Sequence, residues 1–557
     1  MMPSVPRDRL VTRWGALKSE RASWMAHWQE ISDYLLPRSG RFFASDRNRG
    51  ERRHNSIYDS TGTRALRILA AGMMSGMTSP ARQWFRLTTA DTDLMEYQPV
   101  KLWMDSVTQI MLAVFNKSNT YRCLHTLYEE LGAFGTGASI VVPDFYNVIH
   151  HHSLTIGEYC LATDYRGNVN TLYREFQKSV HELVAEFGLD KVSSQVRAMY
   201  DRGNLDAWVT VIHAIEPRAD RDPSRSDAKN MPWRSVYFEV GAGTDQYLRE
   251  SGYRRFPALC PRWSVSGGDL YGNSPGMEAL GDIKQLQHAQ LRKAQGIDYQ
   301  TNPPLQVPTS LKNRNMEMFP GGITFVDVTG SGSAIKTAFD VSLNLSHLLS
   351  DIQDVRERIR GAFYADIFLM MENLDGTRMT ATEVAERHEE KLLMLGPVLE
   401  RLQNELLEPL IDITFDAILD ANLAFPAPDE LRGHELNVEM VSMIAQAQRS
   451  IGTNTIDRFT GSLGAVAQIK PEVLDKFDPD AWVDSYASSL GLDPKIIVPG
   501  DQVKAVREQR AQAQQAQQQS AMLQQMSGAA RNLAAARTDQ PSALTSIAGA
   551  LQQGQQM

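Results

Sequence analysis

Residues 342–422 read SLNLSHLLSDIQDVRERIRGAFYADIFLMMENLDGTRMTATEVAERHEEKLLMLGPVLERLQNELLEPLIDITFDAILDAN, and this stretch decides the architecture. Leu345, Leu348, Leu349, Ile352, Val355, Ile359 and Phe363 recur at three- and four-residue steps, so they form one apolar stripe on a helix. A loop is expected over Met370-Met371-Glu372-Asn373-Leu374-Asp375-Gly376. Thr380-Ala381-Thr382-Glu383 then has the pattern of a capping box, in which hydroxyl and carboxylate each satisfy an orphan backbone N–H. The helix it opens carries Leu395, Leu399, Leu402, Leu406, Leu410 and Ile413 on one face. Gly396 and Pro397 fall inside that pattern, where proline removes a hydrogen bond and bends the helix. A bent helix hung from a loop is mechanical architecture.

Working outward, the pattern from 274 to 300 matches the stripe just described. Ser274-Pro275 starts a helix, with serine at the cap and proline in the first turn. It runs to near Tyr299, about 25 residues or roughly 38 Å. Between the two helices, 301–340 is an insert of short strands and turns, so a stalk ends in a small β-rich head. Upstream, Trp14, Leu17, Trp24, Trp28, Ile31 and Leu35 share a helical face. Asp59 or Ser60 caps a helix through Ala65, Leu66, Leu69 and Met73, and helices follow over 100–115 and 122–134. Strand-like runs at 139–143, 149–165, 168–177, 208–216 and 235–240, with a helix at 179–187, make this part α+β. Several short helices are expected from 438 to 490, then a Gln/Ala-rich tail, helical over 503–526. The fold class is therefore α+β, mainly helical.

Composition excludes several functions. The net charge of −9 argues against a protein that grips nucleic acid by its phosphates. Cys123, Cys160 and Cys260 have no metal-ligand spacing and read as thiols of a reducing compartment. No apolar run approaches the roughly 20 residues of a membrane span, and 1–9 has no apolar signal core, so neither membrane insertion nor secretion is expected.

Three motifs imitate chemistry. Gly132-Ala133-Phe134-Gly135-Thr136-Gly137-Ala138-Ser139 has the spacing of a phosphate loop, but alanine stands where the lysine belongs. A helix precedes it and a strand follows, the reverse of the required order, so its glycines serve a helix-to-strand turn. His150-His151-His152 lie on alternate faces of a strand and cannot converge on one ion. His388-Glu389-Glu390 lacks the second histidine of a zinc-protease helix. No nucleophile, base and orienting group combine, so no catalytic residue, cofactor or metal is expected. Asp351, Asp354, Glu357, Glu383, Glu386, Glu389 and Glu390 are either a solvated helix face or an electronegative lining that keeps DNA from sticking.

Four ordered pieces carry a family likeness: Ile57-Tyr58-Asp59-Ser60-Thr61-Gly62 with Ala70-Ala71-Gly72 and Trp84-Phe85-Arg86-Leu87; Tyr271-Gly272-Asn273-Ser274-Pro275-Gly276 through Ile283; Arg378-Met379-Thr380-Ala381-Thr382-Glu383-Val384; and Leu395-Gly396-Pro397-Val398 with Leu406-Leu407-Glu408-Pro409-Leu410. Together they resemble the portal (head-to-tail connecting) proteins of short-tailed bacteriophages, over most of 14–428.

The resemblance implies a ring, usually of twelve subunits, at one capsid vertex. It implies a wing (1–273), stem helices (274–300 and 341–365), a clip (301–340) and a tunnel loop (366–379). A kinked tunnel helix with the wing return (380–437), a crown (438–526) and a flexible tail (527–557) complete the division. Viral double-stranded DNA would pass through the channel, driven by a terminase large subunit at the clip. A tail adaptor protein would later take that place, and the major capsid and scaffolding proteins would surround the ring. Candidate channel residues are Asn373, Asp375 and Arg378 in the loop and Lys284, Arg292, Lys293, Arg356 and Arg360 on the stem. Candidate clip contacts are Lys312, Arg314 and Phe319, and Gly396-Pro397 is the candidate kink. The alternatives are a tail or baseplate ring protein and a packaging enzyme built on the 132–139 loop.

Overall fold

The computed structural model describes residues 7–42, 56–91, 94–95, 97–225, 227–241, 247–301, 305–306, 336–337, 346–372, 395–434, 436–441, 459–490, 498 and 500–534. The chain forms two compact units, one of Met1–Ala90 with Trp103–Ile451 and one of Asp91–Leu102 with Gly452–Met557.

The first unit opens with helices α1 (Arg7–Tyr34) and α2 (Thr61–Met77), strand β1 (Phe85–Thr89), helix α3 (Gln98–Lys117), which belongs to this unit from Trp103 onward, and helix α4 (Thr120–Phe134). Leu17, Trp28, Ile31 and Leu35 are buried as their spacing predicts. Strands β2 (Ala138–Asp144), β3 (Val148–Leu154), β4 (Tyr159–Thr163) and β5 (Val169–Ser179) follow. The expected run 149–165 is thus two strands, parted where Gly157 adopts φ +90 and passes so close to Arg41 that a Cβ would lie 2.0 Å from its carbonyl oxygen.

Helices α5 (Val180–Phe187) and α6 (Ser194–Asp201) lead to β6 (Trp208–Pro217), β7 (Trp233–Glu239), β8 (Arg249–Tyr253) and β9 (Ala258–Leu259). β4 to β8 form an antiparallel meander, and β3-β2-β9 a second sheet. One face of the meander packs Tyr173, Ile212, Ala214, Val236 and Phe238 with Leu10 and Leu17 of α1. A full capping box forms at α5, where Ser179 and Glu182 exchange side-chain and backbone bonds.

A hairpin of long helices, called the stem as a plain label, starts with one turn, Pro275–Glu278, capped by the Ser274 side chain, and continues as α7 (Leu280–Thr301). Strands β10 (Leu305–Gln306) and β11 (Lys336–Thr337) pair antiparallel at its far end. Helix α8 (Ser346–Ala362) returns along α7, with Ile352, Val355 and Ile359 buried together with Ile283, Leu286 and Ala289.

Here the structure corrects two expectations. Residues Ala365–Glu372 form a helix, α9, so Met370, Met371 and Glu372 are helical rather than looped. The stripe breaks at Tyr364, whose left-handed φ of 54 ends α8 above the fully buried Phe363. The described helix α10 (Gly396–Leu402) begins at Gly396 with Pro397 in its first turn, and residues 373–394, against which the expected kink would be judged, lie outside the described residues. A separate irregularity lies further on, in a π-turn at Gln403–Leu407 before α11 (Glu408–Asp420). Pro409 supplies no N–H to the Glu405 carbonyl and crowds it, so the backbone widens, with the Glu408 N–H reaching Gln403. Finally, residues 438–440 belong to β12 (Leu436–Met440), which pairs with β1 as Phe85↔Met440 through Thr89↔Leu436, so the first unit runs past 438. The Thr380 capping box lies outside the described residues.

The π-turn is held from outside. Glu405 accepts Arg262 Nη2 at 2.7 Å, the Arg262 backbone N–H at 2.9 Å and Arg401 Nη1 at 2.9 Å. The Arg262 side chain is only 3% exposed.

In the second unit, helices α12 (Pro479–Leu490) and α13 (Gly500–Ala534) are joined by Arg507, which bonds both Asp480 oxygens at 2.6 and 2.7 Å. Val506, Met522, Leu523 and Met526 of α13 are exposed.

Two outcomes are expected. Arg262→Met leaves Glu405 without its main counter-charge and lowers stability by about 3–5 kcal/mol, read from the shift of a urea unfolding midpoint. Glu130 is 2% exposed, and burial pushes its carboxyl from 4.5 to about 7. The folded chain therefore holds a proton that the unfolded chain has released, and stability falls as pH rises from 4.5 to about 7. The slope this group contributes, up to about 1.4 kcal/mol per pH unit, disappears in Glu130→Gln.

Candidate functional site

A carboxylate at the root of the stem gathers the most distant parts of the first unit. Asp59 Oδ1 accepts the backbone N–H of Thr61 at 2.9 Å and its hydroxyl at 2.6 Å, starting α2. Ser60, the residue at the cap position, makes no side-chain bond there, so of the two expected caps the aspartate is the one used. Asp59 Oδ2 accepts Gln290 Nε2 from α7 at 2.8 Å and Arg356 from α8 at 2.8 and 3.1 Å. Gln287 completes the joint: its Oε1 takes the N–H groups of Tyr58 and Asp59 at 2.6 and 2.8 Å, and its Nε2 donates to the Asp59 carbonyl at 2.9 Å. Burial pushes the Asp59 carboxyl up, but the bonds from Thr61, Arg356 and Gln290 outweigh it and hold the group below its ordinary range.

Glycines let the elements close around this joint. A Cβ on Gly62 would stand 3.0 Å from Leu35 and 3.3 Å from Ile283, and one on Gly72 would lie 2.2 Å from the Phe368 ring of α9.

The stem is fixed a second time at the 132–139 loop. Gly135 caps α4 in the left-handed region, and a Cβ there would meet the Gly272 carbonyl at 2.2 Å. Trp263 N–H donates to Gly135 O at 2.9 Å, Gly272 N–H to Thr136 Oγ1 at 2.8 Å, and Ser274 Oγ to Ala133 O at 2.8 Å. The loop is a backbone-to-backbone clamp on the stem entry. A helix precedes it and a strand follows, as the sequence requires.

The expected channel cations divide into two groups. Arg356 is bound to Asp59, and Lys284 pairs with Glu30 of α1, so these two hold the stem to the rest of the chain. Arg358 links α8 to α7 through Asp282 at 3.2 Å, and also pairs with Asp354. By contrast, Arg292 is exposed, bonded to Gln295 at 3.0 Å, while Lys293 and Arg360 make no ion pair among the described residues. Asn373, Asp375, Arg378, Lys312, Arg314 and Phe319 lie outside the described residues. The sequence reading missed Gln287 and Gln290; their signal was two glutamines three apart beside the apolar positions Ile283 and Leu286.

Of the three histidines, His151 turns inward, 2% exposed and 3.0 Å from Thr120 Oγ1, while the His150 and His152 rings sit 5.1 Å apart on the opposite face. Among the described residues no group of His, Cys, Asp or Glu is arranged to hold a metal, and no helix is long and apolar enough to cross a membrane.

The family model for the bacteriophage head to tail connecting protein matches residues 7–498. The chain belongs to this connector family. It is 63% identical to the probable portal protein of Bordetella phage BPP-1, over 98% of this chain and 99% of that one. It is 48% identical to the portal protein of Salmonella phage epsilon15, over 99% of each. Among solved structures, the neck of an empty GTA particle covers 81% of this chain and 98% of its own at 13% identity and a TM-score of 0.37, too distant a likeness to carry an argument. This connector is a structural virion component at the head-to-tail junction and not an enzyme.

Removing the Asp59 charge tests the joint. Asp59→Asn leaves the half-buried Arg356 uncompensated and lowers stability by about 1–3 kcal/mol, less than for a fully buried pair because of solvent screening. A depressed carboxyl stabilises above its ordinary value of 3.8 and loses that contribution as pH falls through the lower folded value. The wild type therefore loses stability more steeply than Asp59→Asn on acidification below about pH 4, measured by guanidinium unfolding at stepped pH.

Proposed function

We propose that this connector assembles as a closed ring, usually of twelve copies, whose central channel carries viral double-stranded DNA during packaging and ejection. One observation supports it most: among the described residues, the outer half of the stem hairpin leaves apolar side chains exposed. Ile297, Tyr299 and Leu349 are 38%, 51% and 46% exposed, while Ile283, Val355 and Ile359, near the wing, are fully buried. Apolar groups left open on a rigid hairpin suit burial against the next copy in a head-to-tail ring, where each subunit presents one flank to its neighbour's other flank.

In this reading 1–273 is the wing, 274–300 and 341–365 the stem, and 301–340 the clip. Residues 373–379 are the part of the tunnel loop beyond α9, and 380–437 the tunnel helix and wing return. The crown begins with the second unit rather than at 438 and extends to 526, followed by the tail at 527–557. A terminase large subunit docks on the clip, through groups such as Lys312, Arg314 and Phe319, and is later replaced by a tail adaptor protein. The major capsid and scaffolding proteins surround the wing, and assembly takes place in the host cytoplasm. Arg292, Lys293 and Arg360 are the stem cations left to meet DNA, too few for a strong grip in a chain of net charge −9. Asn373, Asp375 and Arg378 meet it at the loop.

Electron microscopy of the purified chain is expected to show rings with a central hole; a monodisperse monomer under all conditions overturns the proposal. Deleting 374–377 is expected to spare the ring and impair DNA filling of heads, and unchanged filling removes the loop from the mechanism.

A further inference from the structure

The hairpin of β2 and β3 ends in a tight turn, with Asp144 paired to Val148 and Phe145, Tyr146 and Asn147 between them. Its two aromatic side chains stand out into solvent, Phe145 95% and Tyr146 77% exposed, and their rings meet edge to face at 5.5 Å. Three constraints hold the turn in shape. Asp144 Oδ2 accepts the Asn147 N–H at 2.9 Å, Lys117 Nζ at the end of α3 donates to Tyr146 O at 2.8 Å, and Val148 is kept at φ 70. A β-branched residue is costly in the left-handed region, so the surrounding structure imposes this turn. Two large apolar rings gathered on a rigid, exposed turn form a knob suited to a partner.

An open apolar pocket lies elsewhere on the same unit, where α11 ends. Asn422 at φ 50 turns the chain off the helix, and Trp103 Nε1 of α3 donates to Phe425 O at 2.9 Å, tying down the returning loop. The Trp103 and Phe415 rings stand at 83° with centroids 6.5 Å apart. With Leu419, Phe425, Leu431 and Leu436 they line a cavity of about 380 Å³. About 150 Å³ of apolar cavity suffices for one benzene ring, so this space admits two.

One chain does not fill its pocket with its own knob. Lys117, which anchors Tyr146, lies about 21 Å from Trp103 along the axis of α3, at 1.5 Å per residue. The two features also differ in charge. Lys117 is exposed and makes no ion pair among the described residues. Glu430, next to the lining residue Leu431, is exposed and equally without an ion pair among them, whereas its neighbour Asp429 is paired with Arg432 at 2.8 Å.

We propose that the Phe145-Tyr146 knob of one copy seats in the Trp103–Phe415 pocket of the next copy, with Lys117 facing Glu430 across the contact. The inference rests on the ring reading and names residues that join neighbouring copies outside the stem. A knob and a hole on separate parts of one surface make a heterologous contact, repeated from copy to copy until the rotation closes. Burying two aromatic side chains removes roughly 300–500 Å² from solvent. That is about half of the roughly 800 Å² one partner contributes to a standard interface, and the stem flanks supply the remainder.

The test is a directed cross-link. Cys123, Cys160 and Cys260 are free and buried, so an introduced surface pair is read without them. Full-length Phe145→Cys and Leu419→Cys chains are purified separately, mixed and oxidised, with assembly followed in parallel by electron microscopy. A disulfide needs Cβ atoms about 3.5–4.5 Å apart, so Tyr146→Cys with Phe425→Cys serves as a second pair. Either mixture is expected to give a covalent dimer on a non-reducing gel, and a chain carrying both changes of that pair a ladder of larger species. A dimer from Phe145→Cys or Tyr146→Cys alone sets knob against knob and overturns the contact. Assemblies that yield no cross-link from either pair overturn it as well. Phe145→Ser with Tyr146→Ser, on an exposed turn, is expected to leave the chain folded and to raise the concentration of half-assembly at least about tenfold; unchanged assembly sinks the proposal. Lys117→Glu weakens assembly and Glu430→Lys added to it restores assembly; a double variant no better than Lys117→Glu counts against the pairing of these faces. A ladder without closed rings in micrographs leaves the contact standing and defeats the ring reading, whereas rings without cross-links do the reverse.

Discussion

The Asp59 carboxylate is the point through which the two halves of the first unit act on each other. It starts α2, receives Arg356 from α8 and Gln290 from α7, and lies under the Gln287 amide that clasps its backbone. A charge this buried persists because every bond around it favours the ionised form. The stem is thereby rigid at its root, where α1, α2, α7 and α8 meet. Among the described residues its outer half has no such packing.

That gradient is mechanically coherent. A lever fixed at one end and apolar along the other transmits force to whatever its outer stripe contacts. The backbone clamp between Gly135 and Gly272 adds a second fixed point that admits no side chain larger than hydrogen. The π-turn lies between α10 and α11, and its one buried carboxylate, Glu405, is tied to Arg262. Movement arriving along α10 therefore meets a wide helical turn pinned to the chain just after β9, rather than a continuous rigid rod.

Much of the fold was legible before any coordinates, because amphipathic spacing is local. The stripe Ile352, Val355, Ile359 and its partners Ile283 and Leu286 are buried as periodicity requires. Ser274-Pro275 opens the stem, and the 132–139 glycines form a turn. The candidate site was less legible. Asp59 read as a cap and Arg356 as a channel cation, since nothing local announces a bond across 297 residues. The π-turn was hidden for a related reason: Pro409, beside which the helix widens, sits between Leu406 and Leu410 of what reads as one continuous stripe.

The sequence by itself determined the alternation of apolar stripes, the turn chemistry and the membership of a connector family, because each depends on residues near one another or on a motif read in order. Only the tertiary structure decided which charges are anchors and which remain to meet a partner. It alone brought β12 back to β1 and set Arg174, His213, Tyr237 and Arg249 in one row. Those outcomes depend on strand register and helix docking between distant segments, which shape complementarity and buried hydrogen bonds select and local propensity does not encode.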